Sequence, residues 1–378
     1  MQRHTVIPRS NWQQRCENLG FTFHSVGGVY WDESVYYSFD SSQIENLEKA
    51  TNDLFEMCLE AVQHVIDRRR FRELDIDSRM EALCIESWEN DQLDIYGRFD
   101  FSYDGIHPPK MLEFNADTPT ALFEASVIQW DWLESTFPGK DQFNSIHEKL
   151  IAAWKREPRG TTHFACVTES EEDFITTLYM QDVCTQAGHT TDFLFMKDIG
   201  WDGAGFVDLH NRPIERIFKL YPWEWMAEEA FAQHLFHAGT RWIEPAWKLI
   251  LTCKGILPIL WELFPGHENL LPASFAPMAS SVRKPLYSRE GANIELPTGL
   301  SSAGDYGMGA WVHQQYQPLP DFSGNYPVIG SWVIGGESAG IGIREDNTLI
   351  TKNTSRFVPH LVDAAPSLDG RGLMLLKD

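Results

Sequence analysis

The stretch QLDIYGRFDFSYDGIHPPKMLEFNA, residues 92–116, decides how this chain is read. Ile95, Phe99, Phe101 and Tyr103 alternate with Asp94, Tyr96, Arg98, Asp100 and Ser102, and a period of two predicts a strand. Met111 to Asn115 alternates in the same way after the turn-like Asp104-Gly105-Ile106-His107-Pro108-Pro109. Residues two apart on a strand share a face, so Arg98 joins Asp100 and Glu113 joins Asn115. A hairpin centred between Ile106 and His107 sets Asp100 opposite Glu113 and Arg98 opposite Asn115, with facing Cβ atoms about 5 Å apart. Facing carboxylates destabilise a sheet unless a cation lies between them. Asp, Glu and an Asn carbonyl are hard oxygen donors suited to Mg²⁺ rather than zinc, and an arginine beside them suits phosphate. Two readings stand at this point. One is a Mg²⁺–nucleotide phosphate site. The other is the polar face of an amphipathic hairpin, with Arg98 neutralising its acidic neighbours. Pro108-Pro109 adds a third outcome, a shifted register that spoils the pairing.

Outward from the hairpin, three- and four-residue apolar steps predict a helix over Ser42 to Arg72 and a shorter one over Asp75 to Trp88. Thr120 to Ser135 and Gln142 to Lys155 also read as helices. Thr162 to Val167 is a short apolar strand, and Ser170 to Ala187 a helix closed by Gly188. This alternation predicts an α/β layer within a mixed α/β (α+β) fold. Glu244-Pro245 opens a helical segment interrupted near Lys254-Gly255 and Pro258. Strands return at Pro327 to Ile334 and Gly340 to Arg344. Between them Ser301 to Gly309 is dense in glycine and serine.

The 378 residues carry 54 acidic and 31 basic side chains, a net charge of −23 that repels phosphate backbones and excludes a general nucleic-acid-binding role. With 43% apolar residues and 14 Trp, the chain is globular rather than an acidic disordered tail. Its six cysteines, Cys16, Cys58, Cys84, Cys166, Cys184 and Cys253, form no C-x-x-C pair and no disulfide framework. The opening MQRHTVIPRSNW lacks the apolar core of a secretory signal. The most apolar stretch, Leu249 to Phe264, is broken by Lys254, Pro258 and Glu262, so no membrane span is expected. A cytoplasmic location is the default expectation.

In so acidic a chain, basic residues beside glycine stand out. Lys284-Pro-Leu-Tyr-Ser-Arg289-Glu-Gly291-Ala-Asn293 sets a lysine before a small-residue turn, a pattern that holds phosphates or simply forms a surface turn. Gly342-Ile-Arg344 places another arginine at the end of an apolar strand, which as it stands is a charged hairpin tip. Gln314-Gln315-Tyr316 before Pro318 reads as a strand-to-linker hinge. No Walker A, G-x-G-x-x-G, G-x-S-x-G or H-E-x-x-H pattern occurs. Trp31-Asp32-Glu33, Trp88-Glu89 and Trp130-Asp131-Trp132-Leu133-Glu134 keep a glycoside hydrolase cleft open, since stacking aromatics and two carboxylates serve that chemistry. A non-catalytic acidic binding protein is the remaining alternative.

Taken in order, several segments resemble the synthetase domain of glutathionylspermidine and trypanothione synthetases, especially stand-alone bacterial acid–amine ligases. They are Arg98-Phe-Asp100, Leu112-Glu-Phe-Asn-Ala-Asp-Thr-Pro-Thr120, Trp247-Lys248, Lys254, Leu260-Trp-Glu-Leu-Phe-Pro265, Lys284-Pro to Asn293 and Gly342-Ile-Arg344-Glu-Asp346. The resemblance runs over about residues 11–376. It implies an ATP-grasp fold in the permuted arrangement of eukaryotic glutathione synthetase. Within that single synthetase module it implies a metal and phosphate hairpin at 92–120, a pre-ATP-grasp-like region at 125–240 and a nucleotide-binding region at 241–376.

By matching position, Asp100, Glu113 and Asn115 would hold Mg²⁺, with Arg98 and Arg344 as catalytic phosphate arginines. Arg98-Phe99-Asp100, Lys254, Lys284, Gly291 in a covering loop, Gln315 near adenine and a strand at Leu349-Ile350-Thr351 would bind ATP. Thr118 and Thr120 fall where the family's glutathione-contacting serines lie. Methyl groups and the intervening Pro119 there argue against glutathione itself. Glu171 and Glu172 fall near the amine-side acids. The amidase half of the bifunctional enzymes is expected to be absent. The implied partners are a small carboxylate and an amine, joined in an amide through an acylphosphate, with oligomeric state left open. Such an intermediate needs water excluded, and the glycine-dense Gly299 to Gly309 reads equally as a closing lid or as a plain surface loop.

Overall fold

The computed structural model describes residues 1–236, 239–289, 291–304 and 309–363. Glu290 of the basic segment, residues 305–308 of the expected lid and the final stretch through Leu376 lie outside the described residues.

The hairpin forms as Tyr96–Ser102 and Lys110–Asn115. Arg98 pairs with Asn115, Phe99 with Phe114 and Asp100 with Glu113, the register expected from the alternation. A one-residue shift follows, so that Phe101 faces Met111 and Leu112 bulges out. The prolines thus displace the register only on the turn side of the charged residues. Antiparallel pairing extends the hairpin into a five-stranded central sheet. Its order is Arg356–Val358, Glu337–Asp346, Tyr326–Ile334, Tyr96–Ser102, Lys110–Asn115. The hairpin and the strands within residues 326–358 therefore share one sheet.

The faces of that sheet divide by strand parity. Phe99, Phe101, Phe114, Ile329, Ile341 and Ile343 are buried, with Phe99 and Phe114 stacked at 4.0 Å between ring centroids. Along this face runs the helix Ser41–Arg68. It starts because Asp40 and Gln43 exchange a capping box and stops where Arg69 turns left-handed at φ 53°. Thr51 Oγ1 meets Ser331 Oγ at 2.7 Å across this interface. The other face carries Arg98, Asp100, Glu113 and Asn115 and is the floor of a cleft.

One wall of the cleft is a parallel sheet ordered Arg241–Ile243, Arg216–Leu220, Thr161–Cys166, Thr190–Phe195. Its crossover helix Glu171–Gln186 is capped by Ser170, which accepts from Asp173 N, and Gly188 follows it at φ +98°. Val167, Leu220 and Tyr221, just past the carboxyl ends of these strands or at them, line the cleft. Carboxyl ends are where open parallel sheets receive ligands. A small antiparallel sheet of Ala273–Ser274, Trp311–Gln315 and Ser281–Pro285 lines a second, narrower space on the other side of Asp100 and Glu113.

Three expected elements differ. The helix expected from Gln142 begins at Ile146, because Asp141 and Asn144 bridge to Val362 and Gly340 instead. The segment after Glu244-Pro245 breaks once, at residues 253–255, into Lys248–Thr252 and Ile256–Leu263. Pro258 is the third residue of the second helix, where a missing N–H costs nothing. Residues 349–351 are a bend rather than a strand, since Thr348 N and Oγ1 turn back onto Asp346 Oδ1. Among the described residues no helix is long and apolar enough to cross a membrane.

Candidate active site

Arg98 is the best-held side chain of the floor. Its Nε and Nη2 fork Asp100 at 2.7 and 3.1 Å, and Nη1 donates to the Thr120 carbonyl at 2.6 Å. The stem runs over Gly330, where a Cβ would stand 2.8 Å from Arg98 Cδ. The guanidinium lies 5.7 Å from the Trp332 ring. Asn115 Nδ2 donates to Asp100 Oδ2 at 3.2 Å, leaving the amide oxygen of Asn115 outside this bond. Burial raises the Asp100 carboxyl above its usual range, with Arg98 opposing. Burial would raise Glu113 as well, but Lys254 and Lys284 outweigh it and hold that carboxyl at about 2. Two anionic oxygen donors and an amide oxygen thus converge on adjacent strands. This hard donor set fits a Mg²⁺-type ion.

The two lysines reach the floor from separate elements. Lys254, in the break between helices, sits 3.3 Å from Glu113 Oε2 and donates to the Ser288 carbonyl at 2.8 Å. Lys284, on the small sheet, donates to the carbonyl of the bulged Leu112 at 2.9 Å and to Gln314 Oε1 at 2.8 Å. Burial pulls its ammonium down to about 8, against the pull of Glu113.

Behind these lysines opens a slot of about 110 Å³ between the small sheet and the central sheet. Val282, Ile294, Leu296, Leu319 and Val328 give it apolar walls, and Gln315, Leu349, Ile350 and Thr351 line it. Gly291 closes one side at φ +70°, so near that a Cβ would stand 2.5 Å from the Thr351 carbonyl. Thr351 Oγ1 is buried without a hydrogen bond. A narrow, largely apolar slot lined also by glutamine amides and Lys284 fits a nucleotide base with its phosphates.

A wider cleft of about 340 Å³ adjoins the slot, and Asp100, Glu113, Gly291, Val328 and Thr351 line both. Thr118, Thr120, Glu172 and Arg344 are there as well. Arg344 donates to the Lys352 and Asn353 carbonyls, both at 2.8 Å, and lies 5.2 Å from the Tyr30 ring.

Two expected site residues lie elsewhere. The Phe99 side chain points into the core, because neighbours on a strand face opposite ways. Glu171 bonds Thr22 at 2.5 Å outside the cleft, since consecutive helix positions lie about 100° apart and only Glu172 turns inward. Three residues went unassigned in the sequence. Arg289 donates to Thr118 Oγ1 at 2.5 Å and to Glu224 at 2.7 Å. Its place beside Gly291 was the signal for it. Trp225 and Asp173 also line the cleft, with no local pattern that marks them. Beneath Glu172, Glu124 accepts from Tyr30 Oη at 2.6 Å, and burial with Glu172 nearby raises it to about 7.

The tryptophan–acid clusters do not form a second cleft. Trp31 and Trp132 are buried, and Arg9 binds both Glu33 and Asp131, the latter at 2.6 Å. Those acids serve as structural ion pairs.

Comparison with known proteins agrees in one direction. The family profile described as glutathionylspermidine synthase preATP-grasp matches residues 3–363. A provisionally assigned acid–amine ligase of Haemophilus influenzae is 41% identical over 95% of this chain and 99% of its own length. Trypanothione synthetase of Crithidia fasciculata is 30% identical over 80% of this chain and 53% of its own. The bifunctional glutathionylspermidine synthetase/amidase of Escherichia coli is 30% identical, over 93% and 63% respectively. The chain therefore spans only part of the two latter proteins. By the profile match and these identities, it belongs to the glutathionylspermidine synthase family.

Proposed function

We propose that the protein is an ATP- and Mg²⁺-dependent acid–amine ligase that makes an amide through an acylphosphate. The observation that carries this reading is the meeting of slot and cleft at Asp100 and Glu113, with Arg98, Lys254 and Lys284 around them. A carboxylate oxygen is a poor leaving group, and ATP supplies the phosphoryl group that makes it a good one. Asp100, Glu113 and the Asn115 amide oxygen would hold Mg²⁺, which supplies charge neutralisation at the phosphates. Lys254 and Lys284 would bind phosphate oxygens from the slot side. Arg98 would stabilise the moving phosphoryl group, already oriented by Asp100 and the Thr120 carbonyl. Arg344 would serve as a second phosphate arginine after leaving its loop carbonyls. Gln315 and residues 349–351 would surround the base.

In the wide cleft, Thr118, Thr120 and Arg289 would meet the acid, read as a peptide-like carboxylate, and Glu172 a polyamine-like amine. The fold reading is ATP-grasp in the permuted arrangement, with 125–240 as its pre-ATP-grasp part and 241–376 as its nucleotide part. Six buried free cysteines accord with a reducing, cytoplasmic setting.

The test is a thermal-shift series with MgATP, followed by ADP release across panels of acids and amines with product mass measured. MgATP is expected to raise Tm. No shift at millimolar MgATP rejects the ligase reading and favours the non-catalytic alternative.

A further inference from the structure

In the middle of the parallel sheet, outside the lining of the cleft, His163 and Asp192 stand directly across from one another on Thr161–Cys166 and Thr190–Phe195. Asp208, from the loop after Phe206–Val207, closes a triangle in which one donor atom from each residue lies within 4.8 Å of the others. His163 is only 3% exposed, and neither ring nitrogen makes a hydrogen bond. Its Nε2 faces Asp208 Oδ2 at 3.5 Å. Buried polar atoms without partners are rare enough to need a reason.

Both carboxylates are oriented from behind. Asp208 Oδ1 accepts from the His210 and Arg212 amides at 2.8 and 2.9 Å, and Asp192 Oδ1 from the Phe193 amide at 3.0 Å. Each therefore presents Oδ2 to the centre, where the half-exposed Arg212 guanidinium binds both. One guanidinium against two carboxylates leaves an excess negative charge that a dication would cancel.

We propose that His163, Asp192 and Asp208 bind a divalent transition cation of the zinc type, with Arg212 as the cation it displaces. An imidazole with two carboxylates suits zinc, water completes four-coordination, and the nitrogen donor disfavours Mg²⁺ or Ca²⁺. Zinc bonds of about 2.0–2.1 Å put tetrahedral ligands about 3.4 Å apart, so the triangle closes by roughly 1 Å when Arg212 swings to solvent. The ion would staple the loop of Asp208 to the sheet. It would take no part in the chemistry of the cleft.

The experiment strips the full-length chain with a chelator and titrates it with Zn²⁺ by calorimetry, using Co²⁺ as a visible-absorption probe. Wild type is expected to bind one equivalent that both His163→Gln and Asp192→Asn lose, with tetrahedral cobalt bands lost in parallel. Asp192 is partly exposed, so its variant keeps the test valid if His163→Gln misfolds. Arg212→Ala is expected to bind the metal about tenfold tighter, the competing charge having gone. Equal stoichiometry in wild type and Asp192→Asn, unchanged affinity in Arg212→Ala, or no binding by wild type overturns the proposal. None of these outcomes depends on MgATP.

Discussion

The slot and the wide cleft share five lining residues yet differ in character. The slot, about 110 Å³, is walled mainly by valine, leucine and isoleucine, with Lys284 and glutamine amides among its other lining groups beside the residues shared with the cleft. The cleft, about 340 Å³, sets Arg98, Asp100, Glu113, Glu172, Arg289 and Arg344 among apolar walls such as Val167, Leu220, Trp225 and Phe357. A site for a flat ring with a charged tail needs the first. A site that must hold two small polar reactants against a charged centre needs the second. The division of labour runs along the line Asp100–Glu113–Gly291–Thr351, and substitutions test whether that line is real.

Glu113→Gln, on the line itself, is expected to lower MgATP turnover by about 10³-fold, since it removes an anionic ligand and the partner of Lys254. Turnover equal to wild type would break the metal assignment. Arg98→Lys keeps the charge but loses the fork on Asp100 and the Thr120 contact, and kcat is expected to fall about 10²-fold. Gly291→Ala forces a left-handed side chain toward the Thr351 carbonyl, and strain of about 1–2 kcal/mol is expected to raise the KM for ATP about tenfold. If the KM of the acid or amine rose instead, the boundary would be misplaced. Glu172→Gln lies wholly on the cleft side. A several-fold rise in KM for a cationic amine, with ATP affinity unchanged, would sharpen the comparison.

The smallest effect concerns pH. Glu124 titrates near 7 in the folded chain, above the ordinary glutamate value, because burial and Glu172 disfavour its charge. The folded state then holds a proton that the unfolded chain has released between about pH 4.5 and 7. Its contribution to stability is present at low pH and lost as pH rises through 7. Tm measured from pH 5 to 8 is expected to fall, and to fall less in Glu124→Gln. A parallel slope in the variant would place the sensitivity elsewhere, with Glu244, also near 7, as the next group to replace.

Legibility in the sequence followed range. The Arg98–Asn115 and Asp100–Glu113 pairing was readable because a hairpin is local and strand parity fixes the faces. The long helix was equally readable from its apolar stripe, though its Asp40–Gln43 cap was not. Family resemblance supplied Lys254, Lys284, Gly291 and Gln315, which no spacing rule connects to the hairpin. Lys284 reaches the floor through the carbonyl of a bulged Leu112, a contact that neither segment encodes alone. Phe99 and Glu171 were carried along with adjacent motif residues, and the strand and helix periods turned them away. Glu124 and Trp225 became visible only once the chain had folded across 94 residues to Tyr30 and placed Trp225 beside Arg289.

The pairing of Lys254 with Glu113 makes the centre a charge exchange. If the proposed assignment holds, a dication arriving alone would meet an ammonium already in place, and a nucleotide arriving alone would meet carboxylates. Arriving together they would let the pair swap partners, Lys254 turning to phosphate and Glu113 to the metal. Each ligand thus lowers the cost of admitting the other, and linkage makes that help reciprocal. On the proposed assignment the ion pair would act as a coincidence gate, favouring the metal–nucleotide complex over either component.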